Sequence, residues 1–131
     1  MTHYHAVVWL DHSQARVFQF NPQDVQSKVV HAEGGHGHVH HKAGVIGAGH
    51  GHGDPGFFKA VANALGGVGE VLVMGPGSAK QEFIKHLGQH AKAVSQKVVA
   101  VETVDHLTDH QIVARARDHF AKIDRTLPQK G

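Results

Sequence analysis

The chain has no cysteine, and it has only four prolines and one tryptophan among its 131 residues. The absence of cysteine excludes disulfides and thiolate metal sites, and it fits a reducing compartment. No stretch approaches the ~20 apolar residues of a membrane span. The start, MTHYHAVVWLDHSQ, lacks the basic and apolar regions of a signal peptide. We therefore expect a cytoplasmic protein with no membrane partner.

Charge is also scarce, because charged residues make up 18% of the chain and the formal net charge is +2. At neutral pH this balance gives only modest support for nucleic-acid binding. The chain also has fifteen histidines, which this net charge counts as neutral. Imidazole titrates near pH ~6.5, so mild acid adds positive charge. The hydrophobic fraction of 40% is typical of a folded chain. We interpret residues 1–131 as one domain.

One segment, residues 33–54, differs in composition from the rest. It lies within the stretch HAEGGHGHVHHKAGVIGAGHGHGD, whose residues 34–53 include eight glycines, six histidines and no aromatic residue. Such a segment contributes little to a core. We interpret it as a loop within an otherwise globular chain.

The sequence on either side predicts alternating strands and helices. Residues 5–10, 15–20 and 25–31 are predicted strands with short turns between them, which indicates an antiparallel meander. After the loop, Asp54 and Pro55 resemble a helix start, and Gly66-Gly67 resembles its end. Strands are then predicted at 70–74 and 97–104. The helices between and after them are marked by apolar residues at helical spacing: Phe57, Phe58, Val61, Ala62 and Leu65; Phe83, Ile84, Leu87, Ala91 and Val94; Ile112, Val113, Ala116, Phe120 and Ile123.

This order, βββ-loop-α-β-α-β-α, predicts an α/β protein. The alternating second half indicates parallel strands joined by crossovers, and the meander extends the same sheet. We expect a ribonuclease H-like three-layer fold with a mixed five-stranded sheet. Trp9 and the six phenylalanines are predicted to lie in the core, with one exception allowed for on the solvent face of the meander. Thr108 to Gln111 have the form of a capping box.

The opening hairpin VVWLDHSQARVFQF, the glycine-rich loop after the third strand and the later EVLVMGPGSAKQEFIKHL together resemble a known domain. It is the middle domain of class I peptide-chain release factors of the eukaryotic and archaeal type, and of Pelota. The chain is most similar to the small single-domain bacterial proteins called translational machinery proteins. The resemblance in element order covers nearly the whole chain, and it implies the ribosome or RNA as partner.

In those release factors the loop after the third strand carries Gly-Gly-Gln, which promotes ester hydrolysis in the ribosomal peptidyl-transferase centre. Here Gly34-Gly35 is followed by His36, and no glutamine occurs between Gln26 and Gln81. The resemblance therefore implies a non-catalytic ribosome- or RNA-associated factor. Its contact residues would be Gly34, Gly35, His36 and Lys42. A peptidyl-tRNA esterase acting through His36 is a third, less favoured interpretation.

The loop histidines also suggest a second function, binding of divalent metal. Imidazole is a good ligand for Zn and Ni, and alternating residues share one side of an extended segment. The candidate ligands are His36, His38, His40, His41, His50 and His52. Flanking glycines leave these rings without fixed positions, which favours labile binding over a preorganised site. We expect no required cofactor.

Another candidate is the turn Gly75-Pro76-Gly77-Ser78-Ala79-Lys80, between a predicted strand and helix. Free N–H groups at the helix start could hold an anion, with Gly75, Gly77, Ser78 and Lys80 as the binding residues. The spacing is not that of a P-loop. The simpler interpretation is a tight turn with Ser78 as N-cap.

Several remaining polar residues support weaker hypotheses. Asp11 and Asp105 are acids near predicted strand ends, but a two-metal nuclease needs more converging carboxylates, and Asp11 is more simply a turn residue. His86 with His90 and His106 with His110 have i, i+4 spacing, which we interpret as solvated helix surface. The sequence leaves the oligomeric state open, a dimer included.

Overall fold

A mixed five-stranded sheet forms the middle layer of the molecule. The structure is a computed structural model that describes residues 5–21, 23–32 and 55–126, with side chains described as far as residue 122. Its elements in chain order are β1 (His5–Leu10), β2 (Gln14–Asn21), β3 (Asp24–His31), α1 (Pro55–Ala64), β4 (Glu70–Gly75), α2 (Ala79–His90), α3 (Lys92–Ser95), β5 (Val98–Thr103) and α4 (Asp109–Thr126). The described part is thus an α/β domain with four helices.

The strand order across the sheet is β3-β2-β1-β4-β5. β1 is the central strand, and residues 6–10 are all buried because helices cover both of its faces. It pairs antiparallel with β2, with Val8 opposite Val17, and parallel with β4, with Val8 opposite Val73. β2 pairs antiparallel with β3, and β4 pairs parallel with β5. The meander and the crossover half therefore share one sheet, as predicted.

Alternation along the strands divides the core between the two faces of the sheet. On one face, Val8 and Val73 pack with Phe57 and Val61 of α1 and with Phe83 of α2. The other face carries Val7, Trp9, Leu72 and Met74 against the apolar stripe Ile112, Ala116 and Phe120 of α4. The tryptophan and all six phenylalanines are buried, which confirms their predicted place in the core, and the exception allowed for on the meander does not occur.

Most predicted element positions agree with the structure to within one residue. The capping box at the start of α4 is confirmed, because Thr108 Oγ1 accepts from the Gln111 amide at 3.1 Å and Gln111 Oε1 accepts from the Thr108 amide at 2.9 Å. The predicted N-cap Asp54 lies outside the described residues. In the described ranges, no helix is both long and apolar enough to span a membrane.

The predicted second helix was wrong in its extent. It was expected to run through Ala91 and Val94, but α2 ends at His90 and the separate short α3 follows. Ala91 has φ −148° and ψ 60°, outside the helical region, although its N–H still donates to Leu87 O. Ala91 and Val94 nevertheless pack on the core, as their helical spacing predicted.

Candidate functional site

Four strands end at the same end of the sheet, which we call the carboxyl end: β1, β3, β4 and β5. Ligand sites of open α/β sheets lie outside the carboxyl ends of their strands. Ala32, which precedes segment 33–54, lies here, because its amide donates to Ser13 O at 2.9 Å in the turn between β1 and β2. The last described residue before the segment therefore lies at the carboxyl end.

The first described residue after the segment, Pro55, also lies towards the carboxyl end. Gln19 Nε2 donates to Ala64 O at 2.6 Å, and Gln19 is paired with Ala6 near the amino end of β1. Ten residues of helix rise about 15 Å, so Pro55 at the start of α1 lies towards the opposite end of the sheet. All predicted loop contacts and metal ligands lie outside the described residues: Gly34, Gly35, His36, Lys42, His38, His40, His41, His50 and His52.

Asp11 organises the turn that holds Ala32. Its Oδ1 accepts hydrogen bonds from the Ser13 amide at 2.8 Å, the Ser13 hydroxyl at 2.9 Å and the Gln14 amide at 3.0 Å. Burial raises the pKa of Asp11, but these bonds and the nearby His106 together lower that pKa below its usual value. Asp11 is thus the turn residue that the sequence predicted, held as a carboxylate.

Two side chains and one backbone carbonyl contact the Trp9 ring beside this turn. The indole Nε1 donates to Asp105 O at 3.0 Å, and the His106 ring lies 4.9 Å from the Trp9 ring. The Arg16 guanidinium lies 4.6 Å from the Trp9 ring and donates to Asp109 Oδ1 at 2.8 Å. These contacts connect the start of α4, and the residues between β5 and α4, to the central strand.

A second polar group joins the turns that follow β1 and β4. His12 Nε2 and Glu82 Oε1 are 2.9 Å apart, and Ser78 Oγ donates to Glu82 Oε2 at 3.2 Å. One carboxylate of α2 therefore binds both turns. The sequence did not indicate this group or the contacts on Trp9, because each joins residues of different elements.

The four predicted anion-binding residues do lie together at the carboxyl end. Gly75 is so close to β1 that a Cβ there would lie 2.1 Å from Leu10 O, and Gly77 has a positive φ of 61°. Lys80 is buried, and its ammonium donates to Gly77 O. Ser78 precedes α2 as predicted, but its hydroxyl makes no cap hydrogen bond and binds Glu82 instead. In this arrangement Lys80 and Ser78 stabilise their own turn, and anion binding here stays a prediction.

The described residues hold no group of three or more His, Cys, Asp or Glu side chains placed to bind a metal. His86 and His90 do form a helical pair, with ring centroids 4.8 Å apart. Burial and then the charge of His90 lower the pKa of His86. The predicted helical pairing of His106 with His110 was wrong, because α4 begins at Asp109 and His106 precedes it. His106 instead lies between the two candidate acids, 3.5 Å from Asp11 Oδ2 and 3.7 Å from Asp105 Oδ1.

Comparison with solved structures finds the same fold in archaeal proteins. The Thermoplasma acidophilum Pelota protein matches with a TM-score of 0.64 and 18% identity, over 98% of this chain and 36% of that chain. Archaeoglobus fulgidus Pelota matches with a TM-score of 0.60 and 15% identity, over 95% of this chain and 38% of that chain. The archaeal translation termination factor aRF1 matches with a TM-score of 0.57 and 17% identity, over 92% and 39% respectively.

The chain therefore spans less than two-fifths of the length of these three structures. At these identities the similarity concerns the fold, and it supports the predicted resemblance to domains of Pelota and archaeal release factors. No protein-family profile matches the chain, and no curated protein sequence matches it significantly.

Proposed function

We propose that this domain is a non-catalytic, translation-associated factor that binds the ribosome or its RNA through segment 33–54. The observation that carries the proposal is the fold, which nearly the whole chain shares with part of Pelota and with part of a named translation termination factor. The predicted ribonuclease H-like topology belongs to the same proposal.

The positions of the described residues on either side of the segment support its role as the contact element. Ala32 and Pro55 both lie towards the carboxyl end of the sheet. Loops at this end of an α/β sheet are the usual place for binding residues. Gly34, Gly35, His36 and Lys42 are the residues proposed to make the contact.

The same segment argues against ester hydrolysis by this domain. In the release factors that the chain resembles, Gly-Gly is followed by the glutamine that promotes hydrolysis, whereas His36 occupies that position here. An imidazole differs from a carboxamide in size, donor geometry and charge state. We therefore propose binding without peptide release.

Binding of this kind should depend on pH, because Lys42 is the only Lys or Arg in segment 33–54, which also holds six histidines. Below pH ~6.5 the histidines add positive charge that phosphate groups attract. Affinity for ribosomes should increase between pH ~7.5 and ~6, and it should decrease with added salt.

Co-sedimentation with purified ribosomes tests the proposal. The first variant replaces residues 34–53 by a Gly/Ser sequence of equal length, which removes the histidines and Lys42 and keeps the chain length. The matched control, His86→Ala with His90→Ala, removes two histidines from α2 outside the segment. We expect the wild type and the control to sediment with ribosomes and the first variant to remain in the supernatant. Equal sedimentation of all three, or none by the wild type, would contradict the proposal.

Metal binding by the segment is the second candidate, favoured by the alternating histidines 36, 38 and 40. Calorimetry with Zn²⁺ and Ni²⁺ should compare the whole chain with a synthetic peptide of residues 33–54. A preorganised site would bind at least ~10-fold more tightly in the chain than in the peptide. Equal affinities would mean that the binding is a property of composition alone.

A further inference from the structure

We propose that the outer side of α1, α2 and α3 is a second RNA-binding surface, which holds backbone phosphates through lysine side chains. We call it the lysine face, and it consists of exposed residues of the three helices: Lys59, Asn63, Gln81, Lys85, Gln89 and Lys92. It lies outside segment 33–54. The inference takes RNA as the partner from the proposed function, but its charges and its test do not depend on the segment.

The three helices form one layer on the same face of the sheet. The ring centroids of Phe58 in α1 and His86 in α2 are 5.6 Å apart, and Val94 of α3 packs on the same core cluster as Phe58. Lys59 follows Phe58 in sequence, Lys85 precedes His86, and both lysines are exposed. The two lysines therefore lie on the solvent side of the layer, close to the contact between α1 and α2.

The charge on the outside of this layer has one sign. Lys59, Lys85 and Lys92 form no ion pair with another described residue. The only carboxylate in α1, α2 and α3 is that of Glu82, which is already engaged with the turns after β1 and β4. Cations that have no partner within the domain attract an anionic partner from outside it.

The helix on the other face of the sheet, α4, has a different charge pattern. Its Arg115 donates to Glu102 at 3.1 Å, and its Lys122 lies 3.2 Å from Asp118. The half-buried Arg117 donates to a backbone carbonyl at 3.2 Å. The described cations of α4 are therefore engaged within the domain, and the three lysines of the lysine face are not.

The chemistry of the lysine face fits phosphate groups. In the described part of the chain the exposed large hydrophobic residues all lie on β3 and β5, and none lies on these helices. A helix that lies on a membrane needs an apolar side to insert, and a protein interface has an apolar centre. Lysine, asparagine and glutamine side chains donate to the phosphates of nucleic acids. RNA therefore fits this face better than a membrane or another protein does.

The lysine face also adjoins the proposed ribosome contact. α1 begins at Pro55, the first described residue after segment 33–54, and Lys59 is one helical turn further along. α2 follows β4, so it also begins at the carboxyl end of the sheet. An RNA bound by the segment can therefore continue across both helices.

The expected strength follows from the number of lysines. Each phosphate contact contributes ~0.7–0.9 to the slope of log affinity against log salt concentration. Loss of three lysines should therefore reduce that slope by ~2–3. Binding through so few contacts is weak at physiological salt, so the lysine face supports the segment and does not replace it.

Fluorescence anisotropy with a labelled short duplex RNA tests the lysine face at pH ~8, where imidazole is mainly neutral. The face variant carries three substitutions: Lys59→Gln, Lys85→Gln and Lys92→Gln. The matched control carries three elsewhere: Lys28→Gln, Arg115→Gln and Lys122→Gln. Both variants have the same formal net charge, so a difference between them reports the position of the charges. Circular dichroism checks that both fold.

We expect the face variant to bind the RNA at least ~10-fold more weakly than the wild type at ~50 mM salt, with a salt slope smaller by ~2–3. The control should keep the slope of the wild type. Equal weakening of both variants, or no RNA binding by the wild type, would overturn the proposal. Wild-type binding to phosphatidylserine vesicles as tight as its binding to RNA would overturn the assignment to RNA.

The Gly/Ser replacement of residues 34–53 separates this inference from the proposed function. In the anisotropy assay it should still bind weakly, and the three lysine substitutions should still reduce its salt slope. If they do so and the replacement also sediments with ribosomes, the proposed role of the segment fails and the lysine face stands. If they leave the slope of the replacement unchanged, the lysine face fails.

Discussion

Gly75→Ala tests how closely the two central parallel strands approach at the candidate site. A Cβ at Gly75 would lie 2.1 Å from Leu10 O and 3.2 Å from the Leu10 carbonyl carbon. These atoms are backbone of the central strand, which is hydrogen-bonded on both sides by β2 and β4. Relief of the contact therefore needs a backbone shift, either of β4 away from β1 or of residue 75 from its φ of +156°.

The expected cost follows from that contact. Overpacking of a core costs typically ~1–3 kcal/mol, and a clash with backbone falls at or above the upper end of that range. We expect a loss of about 3 kcal/mol or more in the free energy of unfolding. With an unfolding entropy of ~2.1 cal/mol/K per residue, such a loss lowers the Tm of a chain of this length by ~10 °C.

Two other glycines serve as matched controls, because nothing lies within 4 Å of a Cβ built on either. Gly77 has φ +61°, so Gly77→Ala should cost only the ~1–2 kcal/mol of a left-handed alanine. Gly88 is exposed within α2, so Gly88→Ala should stabilise by ~0.5–1 kcal/mol. Thermal and urea unfolding followed by circular dichroism would measure all three. A loss for Gly75→Ala no larger than that for Gly77→Ala would refute the reasoning.

Three smaller effects are expected. Asp11→Ala should cost ~1 kcal/mol in urea unfolding and Asp11→Asn less, because an amide oxygen still accepts the turn hydrogen bonds. Thr108→Ala removes half of the capping box and should cost ~1 kcal/mol in the same assay, whereas a null effect would mean that water replaces the cap. The pKa of His86 is lowered in the folded chain, so its contribution to stability is present above pH ~6.5 and is lost as the pH falls below that value. His90→Ala should raise the pKa of His86 in an NMR titration, and an unchanged value would leave burial as the sole cause.

Local patterns in the sequence predicted the individual elements well. The strand β1 was placed at its observed bounds, because a run of β-forming apolar residues buried on both faces has few alternatives. The capping-box pattern of Thr108 and Gln111 predicted the start of α4, because its hydrogen bonds form within one turn of helix. The prediction was correct where the sequence pattern and the element that it specifies involve the same few neighbouring residues.

Long-range contacts could not be predicted in the same way. Trp9 binds Asp105 O across 96 positions of sequence, and His12 binds Glu82 across 70. Both contacts depend on the strand order of the sheet, which hydrophobic periodicity does not specify. The break at Ala91 was missed because the apolar spacing continues through it while the backbone leaves the helix.

A hydrogen-bond network at the carboxyl end of the sheet connects the residue before segment 33–54 to the neighbouring turns. The Ser13 carbonyl accepts from the Ala32 amide, and Asp11 accepts from the Ser13 amide. Glu82 contacts both His12 of the same turn and Ser78 after β4. A substitution among these residues can therefore shift Ala32, the residue before segment 33–54, without changing any residue of the segment. The contact can be assigned to the segment only if the Gly/Ser replacement abolishes ribosome binding and leaves the free energy of unfolding of the domain unchanged. Conversely, if Gly75→Ala loses ribosome binding in parallel with its loss of free energy of unfolding, the defect lies in the carboxyl end of the sheet and not in the segment.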